Sequence, residues 1–395
     1  MDTVAVNEGR GGRVHGGHLA VSEPSESGAS PQAAEAPINV FVHLARNKDA
    51  SEWRRAREAG TLVGVNDETP YGYGRAASMG CRVTFSRSSP EGPLGKALRL
   101  GIRWLSGFDY LHALRQGEAL ATADVVWTHT ESQYLAVAAA LIGKARRPKL
   151  LGQSVWLFDR WRKLDPLRRA LYRRLIAKVD MLTFHSEENL AIARALFPDK
   201  RVELVRYGIA SEISTAPTLR PASPIRILSV GNDRDRDWTT LIAALKGCER
   251  ASLLILSETA PRGATQGAAN IEVMQAKSNA ELARHFAEAT LVCVPLRPNS
   301  HVSGITVVQE AVLAGAPVVV SDTGGLRAYF GRDELRYVPL GDPFALREAI
   351  MEMASDPVAA RNMAVRAQAR LTGGELGLAA YIRQHVELSQ EMLSQ

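Results

Sequence analysis

Long apolar runs and clustered cysteines are both missing from this sequence. Its longest apolar stretch, 134–143, falls far short of the roughly 20 residues a helix needs to span a bilayer, so no transmembrane helix is expected. Cys81, Cys248 and Cys293 stand far apart without metal-ligand spacing, and three thiols leave one unpaired in any disulfide scheme. That pattern argues against a disulfide framework or a zinc module and fits a reducing cytoplasm. Residues 1–36 are rich in Gly, Ser, Glu and Ala and lack an apolar core, so they read as a disordered tail and not as a signal peptide. No repeat of solenoid period is present.

What remains is a globular pattern. A chain of 395 residues, 46% hydrophobic and 23% charged, exceeds what one core usually supports, so two domains are expected. Short apolar runs alternate with longer helical stretches, which is the pattern of parallel sheets covered by helices on both faces. The first series of strands reads 38–44, 81–86, 124–129, 149–155, 179–184 and 202–206. Three prolines at 217–224 mark a linker. The second series reads 225–230, 252–257, 271–275, 291–295, 317–321 and 336–340. The expected organisation is therefore a tail (1–36), an amino-terminal α/β domain (37–216), the linker, a second α/β domain (225–375) and a closing helical segment (376–395). Ligands of such sheets sit beyond the carboxyl ends of the strands, in the cleft between the domains. The net charge of +6 implies an acidic partner, which charge alone leaves open among nucleic acid, an anionic membrane and a phosphorylated small molecule.

The most informative stretch is 295–325. A strand ends at Pro295, a polar loop follows, and a helix begins near Gly304 with Ile305 and Thr306 in its first turn. The free backbone N–H groups and positive dipole end of such a helix suit a diphosphate. Glu310, about one and a half turns in, can accept from both hydroxyls of a ribose. It reads equally as a favourable acid near a helix start.

The run from Gly304 to Gly325 resembles the signature of retaining GT-B glycosyltransferases of the family 4 type. In that signature a Gly opens a helix, a Glu follows, and a small-Gly-x-Pro-Val-Val strand ends in a Gly-rich turn. The resemblance implies two Rossmann-like domains facing across a cleft and sugar transfer from a UDP, GDP or ADP donor. It assigns phosphate and ribose roles to Gly304, Ile305, Thr306 and Glu310. One departure stands out: many members carry a further Glu eight residues before the second, where this chain has Val302. The donor-sugar contact then falls to His301 or Ser303. The segment 230–241 resembles the family's Gly turn with basic clamps, with Gly231 as the turn, Arg236 as the preferred diphosphate clamp and Arg234 as the alternate. Asp237 reads as a helix cap and Trp238 as a packing residue, and the other reading of the segment is a charged surface turn.

In the first domain, His129 and Glu131 at the end of the third strand face the expected cleft as candidates for sugar or acceptor contact. His129 reads about equally as structural. His185 and Ser186 read as either site residues or a helix cap with its neighbour, and the loop 66–74 carries only a weak acceptor signal. Residues 156–178 place Leu164, Leu167, Leu171 and Leu175 among many arginines, after Trp156, Phe158 and Trp161. This reads as a helix lying on an anionic membrane, with a core-facing helix as the plain alternative. No base-stacking motif accompanies these basic residues, so nucleic acid is not expected.

The expected activity is metal-independent transfer of a sugar from a nucleotide-sugar donor to a lipid-linked or oligosaccharide acceptor, with no cofactor and with retention implied by the resemblance. It would take place in the cytoplasm at the inner face of the membrane. An inverting transferase using Glu131, Asp67 or Glu68 as base, and a degenerate binding module lacking turnover, are the alternatives.

Overall fold

The computed structural model describes residues 36–395 except Gln266. The expected tail therefore lies outside the described residues, apart from Ala36. All twelve expected strands are present, each shifted or shortened by no more than two residues at an end. The first sheet contains β1 (Ile38–His43), β2 (Cys81–Phe85), β3 (Val125–Thr128), β4 (Lys149–Ser154), β5 (Met181–Phe184) and β6 (Val202–Leu204). The second contains β7 (Ile225–Val230), β8 (Ala251–Leu256), β9 (Ile271–Met274), β10 (Leu291–Val294), β11 (Val318–Ser321) and β12 (Arg336–Val338).

Every pairing in both sheets is parallel, in the orders β2-β1-β3-β4-β5-β6 and β12-β11-β10-β7-β8-β9. The central strands β3, β5, β10 and β11 are buried at every position, as strands covered on both faces must be. These are two Rossmann-like domains in the GT-B arrangement. In the second sheet the strand order reverses between β7 and β10, the switch point beyond whose carboxyl ends ligands of such sheets sit.

The closing helix, Leu378–Leu393, returns to the first sheet. Its Leu378, Tyr381, Ile382, Val386 and Met392 join Val40, Tyr73 and Trp127 in one buried cluster. The Tyr381 hydroxyl lies 2.7 Å from that of Tyr73 and donates to Gln153 Oε1 at 2.5 Å, while Trp127 Nε1 donates to Ser389 Oγ at 2.8 Å. The two chain crossings between the sheets run side by side, with Leu378 N–H donating to the Ile209 carbonyl at 2.8 Å. A Cβ on Gly208 would stand 2.1 Å from the Gly377 backbone, so this close approach requires glycine.

The segment 156–178 differs from its sequence reading. Phe158 and Trp161 are each 3% exposed and stack on one another, at 5.9 Å between ring centroids, inside the core of the first domain. The helix starts only at Pro166, capped by Asp165, so Leu164 precedes it. Tyr172, Leu175 and Ile176 form its buried face, and Leu167 is 83% exposed. The expected leucine stripe is thus split between core and solvent. The neighbouring helix Pro93–Ser106 exposes Leu94, Leu98, Trp104 and Leu105. Arg168 ties the two helices together by donating to the Trp104 and Leu105 carbonyls at 2.5 and 3.2 Å. Among the described residues no helix is long and apolar enough to cross a membrane.

Candidate active site

The crevice between β7 and β10 is walled by the loops 231–237 and 295–304. They run together through an antiparallel bridge between Arg236 and Leu296. Asp237 N–H donates to the Pro295 carbonyl at 3.0 Å and Arg297 N–H to the Asp235 carbonyl at 2.8 Å. Asp237 caps the helix Trp238–Leu245 by accepting from Thr240 N–H, and Trp238 is buried, as the sequence indicated. The helix Ile305–Leu313 opens at Gly304, whose φ of 89° is the left-handed conformation that favours glycine.

Arg236 is the centre of this arrangement. It is 4% exposed, with Nε donating to the Val230 carbonyl at 3.3 Å and Nη1 to Ser303 Oγ at 3.3 Å. A Cβ on Gly231 would meet Arg236 Nε at 2.5 Å and one on Gly304 would meet Nη1 at 3.0 Å. Both glycines are therefore spaces for the guanidinium. Burial pulls Arg236 down to about 10, opposed by Asp233, Asp235 and Glu310, so it remains a cation at neutral pH. Arg234 lies outside this group, with a side chain 55% exposed and 3.7 Å from Asp235. Ile305 is buried and Thr306 exposed at the helix start.

His301 and Ser303 both turn toward Asp233. Ser303 Oγ donates to Asp233 Oδ2 at 3.0 Å, and His301 Nε2 lies 3.6 Å from the same oxygen. Between them Val302 adopts a φ of 60°, a left-handed conformation that costs a β-branched residue about 1–2 kcal/mol. His301 Nδ1 makes a short hydrogen bond to Asp159 of the first domain. Burial lowers the imidazolium, but the hydrogen bond to Asp159 and the charges of Asp159 and Asp233 outweigh it and raise His301 to about 9. Asp159, Asp233 and Asp235 had no role in the sequence reading. The Asp-Arg-Asp spacing at 233–235 was visible there, but the convergence on His301 was not.

Glu310 faces the first domain. Its Oε1 accepts from Val65 N–H at 2.9 Å, while Gly64 N–H donates to Asn279 Oδ1 at 2.8 Å. A cavity of about 810 Å³ adjoins it, lined among others by Val65, Arg75, Asn279, Phe286 and Glu310. Burial raises Glu310 to about 7, opposed by the Val65 amide and Arg236.

The first-domain candidates are more firmly held than a free cleft residue would be. His129 stacks under Tyr71 at 3.5 Å between centroids, and Nδ1 lies 3.1 Å from the Tyr73 hydroxyl. Burial, with His185 and His385 nearby, holds it well below the usual histidine range. Glu131 accepts from the Val155 and Trp156 amides at 3.1 and 3.3 Å. His185 is buried with Nδ1 2.8 Å from the Val205 carbonyl, and Ser186 caps the helix Glu187–Leu196. In the loop 66–74, Asp67 pairs with Arg75 at 2.7 Å and Glu68 is exposed.

Two Rossmann-like domains, with a glycine-lined cationic crevice at the second sheet's switch point, have the arrangement of the GT-B class. Residues 213–356 match the family described as Glycosyl transferases group 1. The chain is a glycosyltransferase that resembles the family 4 type. Sucrose-phosphate synthase from Thermosynechococcus elongatus has a similar fold, with a TM-score of 0.70 at 17% identity over 90% of this chain and 99% of that one. HepE from Anabaena, solved with UDP and glucose, gives 0.60 at 14% identity over 89% and 99%. An α,α-trehalose-phosphate synthase (UDP-forming) from Burkholderia xenovorans, solved with glucose-6-phosphate, gives 0.60 at 14% identity over 89% and 100%. A comparison with curated proteins finds no match.

The raised Glu310 has a consequence for stability. Its folded value lies above the ordinary 4.5, so the folded state holds the proton more tightly and stability falls as pH rises from about 4.5 to about 7. Glu310→Gln keeps an acceptor for Val65 N–H and removes that titration. Urea unfolding should show the variant more stable than the parent at pH 8, by on the order of 2 kcal/mol, with the gap closing by pH 5. An equal gap at both pH values would contradict the assignment.

Proposed function

We propose that this enzyme transfers a glycosyl group from a UDP-linked sugar, with retention at the anomeric carbon, to a saccharide acceptor carried on a lipid. The observation that carries the donor reading is the buried Arg236 cation wedged between Gly231 and Gly304 at the start of a helix. Arg236 and the helix start would hold the diphosphate and stabilise its growing charge as the glycosidic bond breaks, since both are fixed in place before the reaction. The uridine would occupy the cavity beside Glu310, its ribose hydroxyls taking the place of Val65 N–H on the carboxylate. UDP is favoured because structurally similar HepE was solved with it.

Retention is supported by the state of the carboxylates that an inverting mechanism would need. Glu131 is committed to two backbone amides, Asp67 to Arg75, and Glu68 has a side chain 83% exposed and 3.8 Å from Arg57. None of them is a free base in the crevice.

The lipid-linked acceptor is supported by a surface that replaces the one expected at 156–178. Leu94, Leu98, Trp104 and Leu105 protrude beside Leu167, and Lys96, Arg103, Arg162, Arg173 and Arg174 are exposed on the same two helices and the turn before them. Exposed apolar side chains among cations suit an anionic bilayer surface.

Three measurements test these points. UDP should raise the unfolding temperature of the parent, because a ligand specific for the folded state stabilises it. Glu310→Ala and Arg236→Met should each weaken UDP binding by about 10- to 100-fold, as loss of a hydrogen bond to a charged group implies. A parent unaffected by any nucleoside diphosphate would refute the donor reading. With an α-linked donor, the product anomer seen by NMR should be α, and a β product would overturn retention. Sedimentation with phosphatidylglycerol vesicles should pull down the parent and lose Trp104→Glu, and equal recovery of both would remove the membrane surface.

A further inference from the structure

Beside Arg236 lies a cluster that the donor reading leaves unused. Asp233 and Asp235 come from the loop after β7 and His301 from the loop after β10, with one potential ligand atom of each within 4.8 Å of the others. His301 Nε2 is 3.6 Å from Asp233 Oδ2 and 3.6 Å from Asp235 Oδ2. Hydrogen bonds of this kind need about 2.7–3.2 Å, so the nitrogen has no hydrogen-bond partner although its side chain is only 3% exposed. His301 Nε2 thus faces both carboxylates at ion-pair distance without a hydrogen bond to either. The spacing matches the edge of a coordination shell, because ligands at about 2.0–2.2 Å from a metal stand roughly 3 to 3.6 Å apart.

The far side of the ring agrees. His301 Nδ1 is hydrogen-bonded to Asp159, the outer carboxylate that metal-bound imidazoles usually carry to fix tautomer and ring orientation. Asp233 is oriented as well, accepting from Asp235 N–H at 2.9 Å and Ser303 Oγ at 3.0 Å. The local charge asks for a cation. Four carboxyl groups, those of Asp159, Asp233, Asp235 and Glu310, face two buried cationic side chains, Arg236 and His301, and a diphosphate would add further negative charge.

We propose that Asp233, Asp235 and His301 bind a divalent cation of the Mn2+ or Zn2+ type beside the donor diphosphate, with Asp159 as a positioning residue. One imidazole nitrogen and two carboxylates suit those ions better than Mg2+, which prefers oxygen and water. The cation's place next to the diphosphate rests on the nucleotide-sugar reading; the site itself does not.

The test uses the full chain freed of metal by a chelator, with no nucleotide present. Titrated into Mn2+, the parent should quench the six-line electron paramagnetic resonance signal of the free ion. Asp235→Asn and His301→Gln should abolish this, and Asp159→Asn should weaken it about tenfold or more. Zn2+ should displace the bound Mn2+, and Mg2+ at the same concentration should not. Unfolding curves without metal identify variants that fold, and either ligand variant alone suffices. An undiminished signal with the parent overturns the proposal, and so does binding that survives in the folded ligand variants. UDP stabilisation without Mn2+ uptake would remove the cation and keep the donor reading, whereas Mn2+ uptake without UDP stabilisation would do the reverse.

Discussion

A buried guanidinium holds the crevice together. Removing Arg236 from water costs several kcal/mol unless other groups replace its hydration, and the replacements come from separate segments. The Val230 carbonyl belongs to β7, the Ser303 hydroxyl to the loop after β10, and the charges of Asp233 and Asp235 to the loop that carries Arg236 itself. Gly231 and Gly304 complete the arrangement by leaving the space that the side chain fills. The loops after β7 and β10 thus form one wall, joined by their backbones and by the guanidinium between them. A cation fixed in this way has little reorganisation left to undergo when negative charge develops nearby, and that is the condition under which electrostatic stabilisation of a leaving group is strongest.

The same wall is fastened to the first domain. Ser186 donates to the Ser300 carbonyl, Ser300 Oγ donates to Asn189 Oδ1 at 2.8 Å, and Asp159 holds His301. On the other side of the helix Ile305–Leu313, Val65 N–H meets Glu310 and Gly64 N–H meets Asn279. Moving the two sheets apart breaks both sets of contacts at once. The protonation of Glu310 and His301 therefore depends on how closely the domains approach, since each draws part of its environment from the opposite domain.

The parts of this architecture that were legible in the sequence are those set by local rules. Apolar runs gave the strands because both faces of each sheet are covered, and Asp237 and Gly304 marked helix starts because capping and positive φ restrict residue choice over one turn. At 156–178 the basic residues and leucines fit an amphipathic pattern, whereas Pro166 delays the helix and Phe158 and Trp161 are drawn into the core, so the core-facing alternative describes its buried face. Asp159 carried no signal at all. Its partner is 142 residues away in the other domain, and nothing in the neighbourhood of either residue announces the other. Nothing in the sequence marked the face of Pro93–Ser106 as exposed, because only tertiary packing shows which of two similar helices is left uncovered.

The departure from the family pattern at Val302 now has a physical form. Where many members have a carboxylate, this chain has a side chain 2% exposed, packed in the core of the second domain and against Gly325, where an added Cβ would stand 3.1 Å from Val302 Cγ2. Restoring Glu at 302 on this backbone would bury an unpaired charge and would not place a group near the donor. The positive φ at Val302 is what sends that side chain inward and sets His301 and Ser303 on the side of Asp233. The difference therefore amounts to a redirected loop, in which the neighbours of position 302 bring an imidazole and a hydroxyl to Asp233.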